Sequence, residues 1–196
     1  MEQYNKTLLT QNNGLTTYYY FDGLFTEAEI TKIKELASKQ TMQDGNLSGT
    51  NVLLNYRSSK VCWFDYSNET KFIYDKLITA LKTANTNVWN FNITSIIDPV
   101  QFSEYTAPAQ GHYDWHMDFG NNNSSTRKLS VSVQLTDPSE YEGGDLEFMI
   151  HRDVVKAPKS KGTMVVFPSY LQHRVTQVTK GTRHSLVFWI HGPPFK

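Results

Sequence analysis

The second half of the sequence is dominated by short β-prone segments that are separated by turn-forming residues. Eight such segments occur from residue 92 onwards: NITSI, VQFSEYT, HYDWHMD, LSVSVQLT, DLEFMI, GTMVVFP, HRVTQVT and RHSLVFWI. Over residues 128–136 apolar and polar side chains alternate strictly, which is typical of a strand. Asp137-Pro138 and Gly143-Gly144 are among the breakers between segments. Many short strands at this spacing indicate a mainly β fold with a double-stranded β-helix core, that is, a cupin-like jelly roll.

The first half predicts two amphipathic helices beside a few strands. Thr26-Glu27-Ala28-Glu29 has the form of a capping box and opens a helical pattern that continues to Lys39. A second helical pattern covers residues 68–84, and TYYYF (17–21) and RSSKVCWF (57–64) are β-prone. We expect one domain over residues 1–196, with supporting helices and strands in 1–91, flanking the β-helix core in 92–196.

Charge and cysteine content exclude several classes of protein. Lys+Arg and Asp+Glu are both 19, so the chain has no excess of basic residues. We therefore expect neither nucleic acid nor an anionic membrane as a partner. A single cysteine, Cys62, rules out an internal disulfide and favours a reducing compartment. The sequence has neither a signal peptide nor the run of about 20 apolar residues that a membrane span needs. We therefore expect a cytoplasmic protein.

The stretch GHYDWHMDFG, residues 111–120, carries potential metal ligands. Four of them alternate with other side chains: His112, Asp114, His116 and Asp118. On a regular strand all four would share one face, so periodicity alone leaves two His-x-Asp pairs as candidates. Two histidines and one carboxylate form the facial triad of non-haem Fe(II) oxygenases. His173, which begins a β-prone run after Pro168-Ser169, is a candidate for the second histidine.

Arg183 and Ser185, which follow His173 in the sequence, together indicate an anion-binding site. Arg183 follows His173 by ten residues, and Ser185 lies two positions further on, so both side chains share a strand face. A guanidinium group pairs with a carboxylate through two hydrogen bonds, and a serine hydroxyl adds a donor. Together they predict a site for the distal carboxylate of a dicarboxylic acid.

The ordered set H-x-D, a distal His and an Arg ten residues later resembles the 2-oxoglutarate/Fe(II)-dependent oxygenases. Tyr113-Asp114-Trp115-His116-Met117-Asp118 is similar to the Tyr-x-x-His-x-Asp pattern of the prolyl-4-hydroxylase-like branch, which includes small bacterial and phage PKHD-type hydroxylases. The contexts RKLSVSVQLTDPSEYEGGDLEF and VVFPSYLQHRVTQVTKGTRHSLVFWIHGPP also look alike. The resemblance extends from about residue 101 to residue 196, and more loosely through YRSSKVCWF and the second predicted helix.

This resemblance implies an enzyme that hydroxylates an unactivated C–H bond with O2 while 2-oxoglutarate is converted to succinate and CO2. It implies Fe(II) on His116, Asp118 and His173, and no catalytic side chain beyond the metal centre. It also implies 2-oxoglutarate binding by four residues: Arg183, Ser185, Tyr105 and Tyr113. Ascorbate is an expected reductant. Peptidyl proline, another amino-acid residue and a small molecule remain open as the primary substrate.

Other interpretations of the same residues remain open. A cupin-like metal dioxygenase would need no 2-oxoglutarate, and a jelly-roll binding module would carry a degenerate metal site. A zinc hydrolase is disfavoured, because such sites commonly use spacings such as H-E-x-x-H. We expect several polar residues to be structural or on the surface: His112, Asp114, His151, His184 and His191. We expect Trp63, Trp115 and Trp189 to pack, and residues 121–125 to form a loop.

Overall fold

This computed structural model describes residues 6–10, 16–45 and 56–195, which form two antiparallel sheets and two α-helices. The strands, in chain order, are β1 (Lys6–Thr10), β2 (Thr16–Phe21), β3 (Gln43–Asp44), β4 (Arg57–Ser58), β5 (Lys60–Phe64), β6 (Val100–Thr106), β7 (His112–His116), β8 (Arg127–Gln134), β9 (Tyr141–Gly143), β10 (Leu146–Ile150), β11 (Asp153–Lys156), β12 (Met164–Pro168), β13 (His173–Val175) and β14 (Val178–His191). The helices are α1 (Glu27–Ser38) and α2 (Lys71–Val88). Two short 3-10 helices cover Asn122–Thr126 and Pro138–Glu140.

The strands are arranged in a large and a small sheet. The large sheet has the order β1-β2-β12-β8-β14-β6-β5-β3, with β9 also paired to β14. The small sheet has the order β11-β10-β13-β7-β4. This arrangement confirms the predicted double-sheet jelly roll. Strands β1 to β5 of the first half join both sheets, so the sheets extend beyond residues 92–196.

The two helices cover the outer face of the large sheet. The capping box predicted at the start of α1 is present, with the Glu29 N–H donating to Thr26 Oγ1 at 3.3 Å and the Thr26 N–H donating to the Glu29 carboxylate at 2.8 Å. The Lys76 ammonium of α2 pairs with the same carboxylate at 2.7 Å, which ties the two helices together. Apolar residues of both helices, such as Ile33 and Leu77, are fully buried in the core.

Strand β8 is buried on both faces, and the two faces differ in chemistry. Its apolar side chains, Leu129, Val131 and Val133, belong to the core beneath the helices. Its alternate side chains are polar and equally enclosed: Ser130, Ser132 and Gln134. The predicted alternation is therefore confirmed, and its polar face points into the space between the two sheets. Buried polar groups need partners, so this face marks the interior as a candidate site.

Several elements differ from the sequence-based expectations. The segment 57–64 was predicted as one strand, but it divides at Ser59 into β4 of the small sheet and β5 of the large sheet. The segment NITSI forms only an isolated bridge, between Ser95 and His191. Residues 121–125 lie largely in a 3-10 helix instead of a loop. Within the described ranges, no helix is long and apolar enough to cross a membrane.

Candidate active site

A cavity of about 350 Å³ lies between the two sheets. The polar inner faces of β6, β8 and β14 form one wall, and residues of β7 and β13 form the opposite wall. Both groups of predicted site residues line it: the candidate metal ligands His116, Asp118 and His173, and the candidate anion-binding pair Arg183 and Ser185.

Two histidines and one aspartate meet at the cavity wall formed by the small sheet. His116 ends β7 and lies directly opposite His173, the first residue of β13. Asp118 follows two residues beyond β7, with carboxylate oxygens 3.8 Å from His116 Nε2 and 3.6 Å from His173 Nε2. The backbone N–H groups of Asp118 and Phe119 both donate to the Ser169 carbonyl, at 3.0 and 2.9 Å, which fixes this turn. The three ligand atoms lie within 4.8 Å of one another, which is compact enough for one metal ion.

Backbone carbonyls set the tautomer of both imidazoles. His116 Nδ1 lies 2.7 Å from the Asp114 carbonyl, and His173 Nδ1 lies 2.9 Å from the Leu171 carbonyl. Because a carbonyl oxygen can only accept, each Nδ1 carries the proton and donates. Each Nε2 then offers its lone pair on the side facing Asp118. Metal-binding histidines are commonly oriented in this way.

The protonation states of the cluster also suit a cation. Burial, together with the neighbouring His173, lowers the pKa of His116, so its ring is neutral at neutral pH. Burial opposes ionisation of Asp118. The two imidazoles and the nearby Ser130 hydroxyl and Trp189 indole outweigh it and lower the pKa of the carboxyl. One carboxylate and two imidazoles form the donor set that suits Fe(II) in a facial triad.

An extra residue in β7 determines which side chains face the cavity. His116 pairs with His173, but Val175, two residues further along β13, pairs with Tyr113, three residues back along β7. This is a β-bulge at residues 114–115. Tyr113 and His116 consequently lie on the same side, with their rings stacked at a centroid separation of 3.5 Å.

The bulge leaves the first His-x-Asp pair outside the cavity. His112 and Asp114 line a separate surface depression beside Arg174. The expectation that all four candidates share one face is therefore wrong, because it assumed an unbroken strand. The pair that faces the cavity is His116 and Asp118.

Arg183 is a buried cation whose charge no described carboxylate balances by an ion pair. Its side chain is 1% exposed, and Nη1 donates to Ser185 Oγ at 3.3 Å. Nε and Nη2, which form one edge of the guanidinium, have no hydrogen-bond partner. Tyr105 is opposite Arg183 in the sheet register, and its ring centre lies 5.4 Å from the guanidinium carbon. This free edge is the geometry that receives a carboxylate through two parallel hydrogen bonds.

Sequence reasoning missed a polar network beside the cluster. The Arg127 guanidinium donates to Asp98 at 2.7 and 3.0 Å, lies 4.0 Å from the Trp189 ring and contacts the Asp118 carbonyl at 3.4 Å. His191 Nε2 contacts the same Asp98 oxygen at 3.2 Å. Asp98 and Arg127 are 29 residues apart, and no local motif links them. Arg127 and Trp189 both line the cavity.

Comparison with known proteins identifies a family that this chain resembles. Residues 100–191 match the family model of the 2OG-Fe(II) oxygenase superfamily. A PKHD-type hydroxylase of Prochlorococcus marinus (strain NATL2A) is 29% identical over 177 residues, which cover 88% of this chain and 77% of that protein. A PKHD-type hydroxylase of Synechococcus sp. (strain CC9311) is 38% identical over a shorter region, 41% of this chain and 37% of that protein.

Solved structures share the fold at low sequence identity. A Trichoplax adhaerens prolyl hydroxylase, in complex with a hypoxia inducible factor peptide fragment, superposes with a TM-score of 0.74 at 17% identity, covering 89% of this chain and 83% of that one. A Pseudomonas putida prolyl-4-hydroxylase gives a TM-score of 0.71 at 16% identity, covering 90% and 93%. These likenesses establish the common architecture.

Proposed function

This chain belongs to the 2OG-Fe(II) oxygenase superfamily, in its prolyl-4-hydroxylase-like branch, and we propose that His116, Asp118 and His173 hold the Fe(II) of the enzyme while Arg183 binds its co-substrate. Members of this superfamily are oxidoreductases that use Fe(II), 2-oxoglutarate and O2. When bound, the metal supplies the oxidation of a C–H bond at the expense of O2 and 2-oxoglutarate.

The observation that carries the co-substrate assignment is the free edge of Arg183. A buried guanidinium with two unpartnered donors is costly unless an anion balances it. The Nε and Nη2 donors match a carboxylate, and Ser185 has a hydroxyl hydrogen left to donate. An acid that reaches from the triad to Arg183 needs a metal-binding end and a distal carboxylate. 2-Oxoglutarate has both.

Two tyrosines complete the proposed co-substrate environment. Tyr105 faces Arg183 across the sheet, and Tyr113 stacks on His116. Burial raises the pKa of Tyr113, so its phenol remains a hydrogen-bond donor at neutral pH. The Arg57 guanidinium also packs over the Tyr113 ring, 4.5 Å from the ring centre. We assign both phenols to orienting the co-substrate; the use of ascorbate as reductant stays a prediction.

For the primary substrate, we favour an amino-acid residue within a peptide, with proline as the first candidate. The curated relatives are named hydroxylases, and one structural neighbour is a prolyl hydroxylase in complex with a peptide. A second, polar cavity of about 460 Å³ shares Tyr113, Asp118 and Arg127 with the first. It offers a hydrogen-bonding path to the triad for an extended chain. The single buried thiol, Cys62, is compatible with action in the cytoplasm.

The test combines co-substrate turnover with an open search for products. Purified protein with Fe(II), 2-oxoglutarate and a proline-containing peptide library should form succinate, and some peptides should gain one oxygen atom. His116→Ala protein that binds no Fe(II) is the matched negative control. Oxygen gain by small metabolites alone would refute the peptide assignment. Absence of succinate from iron-loaded wild-type protein supplied with every substrate class would refute the proposed reaction.

A further inference from the structure

Several buried polar atoms of the two sheets have no hydrogen-bond partner. Six buried side-chain atoms of the described residues have no hydrogen-bond partner: Arg57 Nη2, Gln134 Oε1, the Tyr141 hydroxyl, Arg183 Nε, Arg183 Nη2 and Trp189 Nε1. Native proteins leave few such atoms, so each of them calls for an explanation, such as a ligand that supplies the missing partner. The proposed function uses Arg183 but gives no role to the Tyr141 hydroxyl.

Strand register places Tyr141 next to Arg183. Tyr141, the first residue of β9, is directly opposite Gly181 of β14. Residues opposite each other in an antiparallel pair share a face, and residues two apart on one strand share that face too. Tyr141 therefore lies on the same face of the sheet as Arg183.

A glycine turn allows the two side chains to come together. Gly144 has a φ of +62°, and a Cβ at this position would lie 2.9 Å from Arg183 Cδ and 3.1 Å from Tyr141 Cε2. Both side chains therefore close against one backbone atom that carries no substituent.

The ring of Tyr141 is held in place by contacts that leave its hydroxyl unused. The Lys159 ammonium lies 4.3 Å from the ring centre, donates to the Gly143 carbonyl at 2.6 Å and pairs with Asp145 at 2.9 Å. Tyr141 is 3% exposed. A phenol fixed in this way loses little conformational freedom when its hydroxyl forms a hydrogen bond with a ligand.

We propose that the Tyr141 hydroxyl is a further donor to the distal carboxylate of the co-substrate, beside the free edge of Arg183. This inference rests on the proposed function, because it assigns a residue to the same ligand. Burial raises the pKa of Tyr141, so the hydroxyl keeps its proton and can donate at neutral pH. A neutral donor beside a single guanidinium gives one net positive charge for one distal carboxylate.

Removal of this hydroxyl should weaken ligands that carry a distal carboxylate and no others. A hydrogen bond to a charged group corresponds to about a ten- to hundredfold change in affinity. Tyr141→Phe protein should therefore bind N-oxalylglycine, an unreactive dicarboxylate analogue of 2-oxoglutarate, less tightly by that factor. Oxalate, which can chelate the metal but has no distal carboxylate, should bind with unchanged affinity.

The experiment is calorimetric titration of both ligands into Mn(II)-loaded wild-type, Tyr141→Phe, Arg183→Lys and Tyr74→Phe proteins. Tyr74 is the control, because its buried hydroxyl bonds to the Phe64 carbonyl and the Val100 N–H outside the cavity. Selective weakening of N-oxalylglycine in Tyr141→Phe would support the proposal. Two results would overturn the proposal and leave the proposed function intact. In the first, Tyr141→Phe protein binds N-oxalylglycine and oxalate with equally reduced affinity. In the second, Tyr141→Phe protein binds both ligands as tightly as wild type while Arg183→Lys protein loses affinity for N-oxalylglycine. If Arg183→Lys also kept full N-oxalylglycine affinity, the co-substrate assignment itself would fall.

Discussion

Replacement of Arg183 should separate co-substrate binding from metal binding. In Arg183→Ala protein the two free donors Nε and Nη2 disappear, together with the contact to Ser185. Each hydrogen bond to a charged group is worth roughly 1.5–3 kcal/mol, and about 1.4 kcal/mol corresponds to a factor of ten. Loss of one bond should raise the apparent KM for 2-oxoglutarate about ten- to a hundredfold, and loss of the two-point pair should raise it further.

Lysine at this position tests the geometry of the interaction. Arg183→Lys keeps a positive charge but not the planar edge, so it should recover only part of the affinity. Fe(II) binding should change little in either variant, since His116, Asp118 and His173 are untouched. The assay is succinate formation over a range of 2-oxoglutarate concentrations, with bound iron measured separately. Wild-type dependence on 2-oxoglutarate in Arg183→Ala protein would mean that the distal carboxylate binds elsewhere, and would favour a cupin-like dioxygenase.

Three further predictions address the metal pair, a helix contact and a turn. His116→Ala should abolish Fe(II)-dependent succinate formation, whereas folded His112→Ala protein should retain it; the opposite pattern would show that the first His-x-Asp pair binds iron. Partial burial raises the pKa of Glu29, but hydrogen bonding from Lys76 outweighs burial and lowers this pKa. The pair therefore stabilises the fold at neutral pH, and its contribution is lost as pH falls through the acidic range. Glu29→Gln should therefore cost about 1 kcal/mol in denaturant unfolding near pH 7, and a gap that does not narrow in acid would contradict the pairing. Gly144→Ala should destabilise the protein by about 1–2 kcal/mol and raise the 2-oxoglutarate KM, because its Cβ would meet Arg183; unchanged thermal unfolding and KM would show that the turn adapts freely.

The fold could be predicted from residue patterns wherever the periodicity was local. The alternation along β8 and the capping box at Thr26 each depend on a few neighbouring residues, and both are confirmed. The division of residues 57–64 between two sheets could not be predicted, because pairing with β6 and β7 decides it. Similarly, NITSI is β-prone by composition but finds only one bridge partner.

The candidate site was accessible from sequence only in part. Spacing indicated His173 and Arg183, whereas the bulge in β7 has no local signature, and the choice between the two His-x-Asp pairs depended on family resemblance. The contact of Arg127 with Asp98 and the approach of Tyr141 to Arg183 both arise from strands that are distant in the chain. Residue types alone give no sign of such pairs.

The bulge at residues 114–115 implies that the number of residues in β7, as well as their chemistry, determines which side chains form the site. The chain carries two His-x-Asp pairs of identical composition, and the position of one extra residue exposes one pair and encloses the other. If residues 112–118 formed a regular strand instead, Tyr113 and His116 would lie on opposite faces, with every ligand type still present in the sequence. The site therefore depends on where the bulge lies as well as on which residues the chain carries, and alignments that score only the identity of residues would overlook that difference.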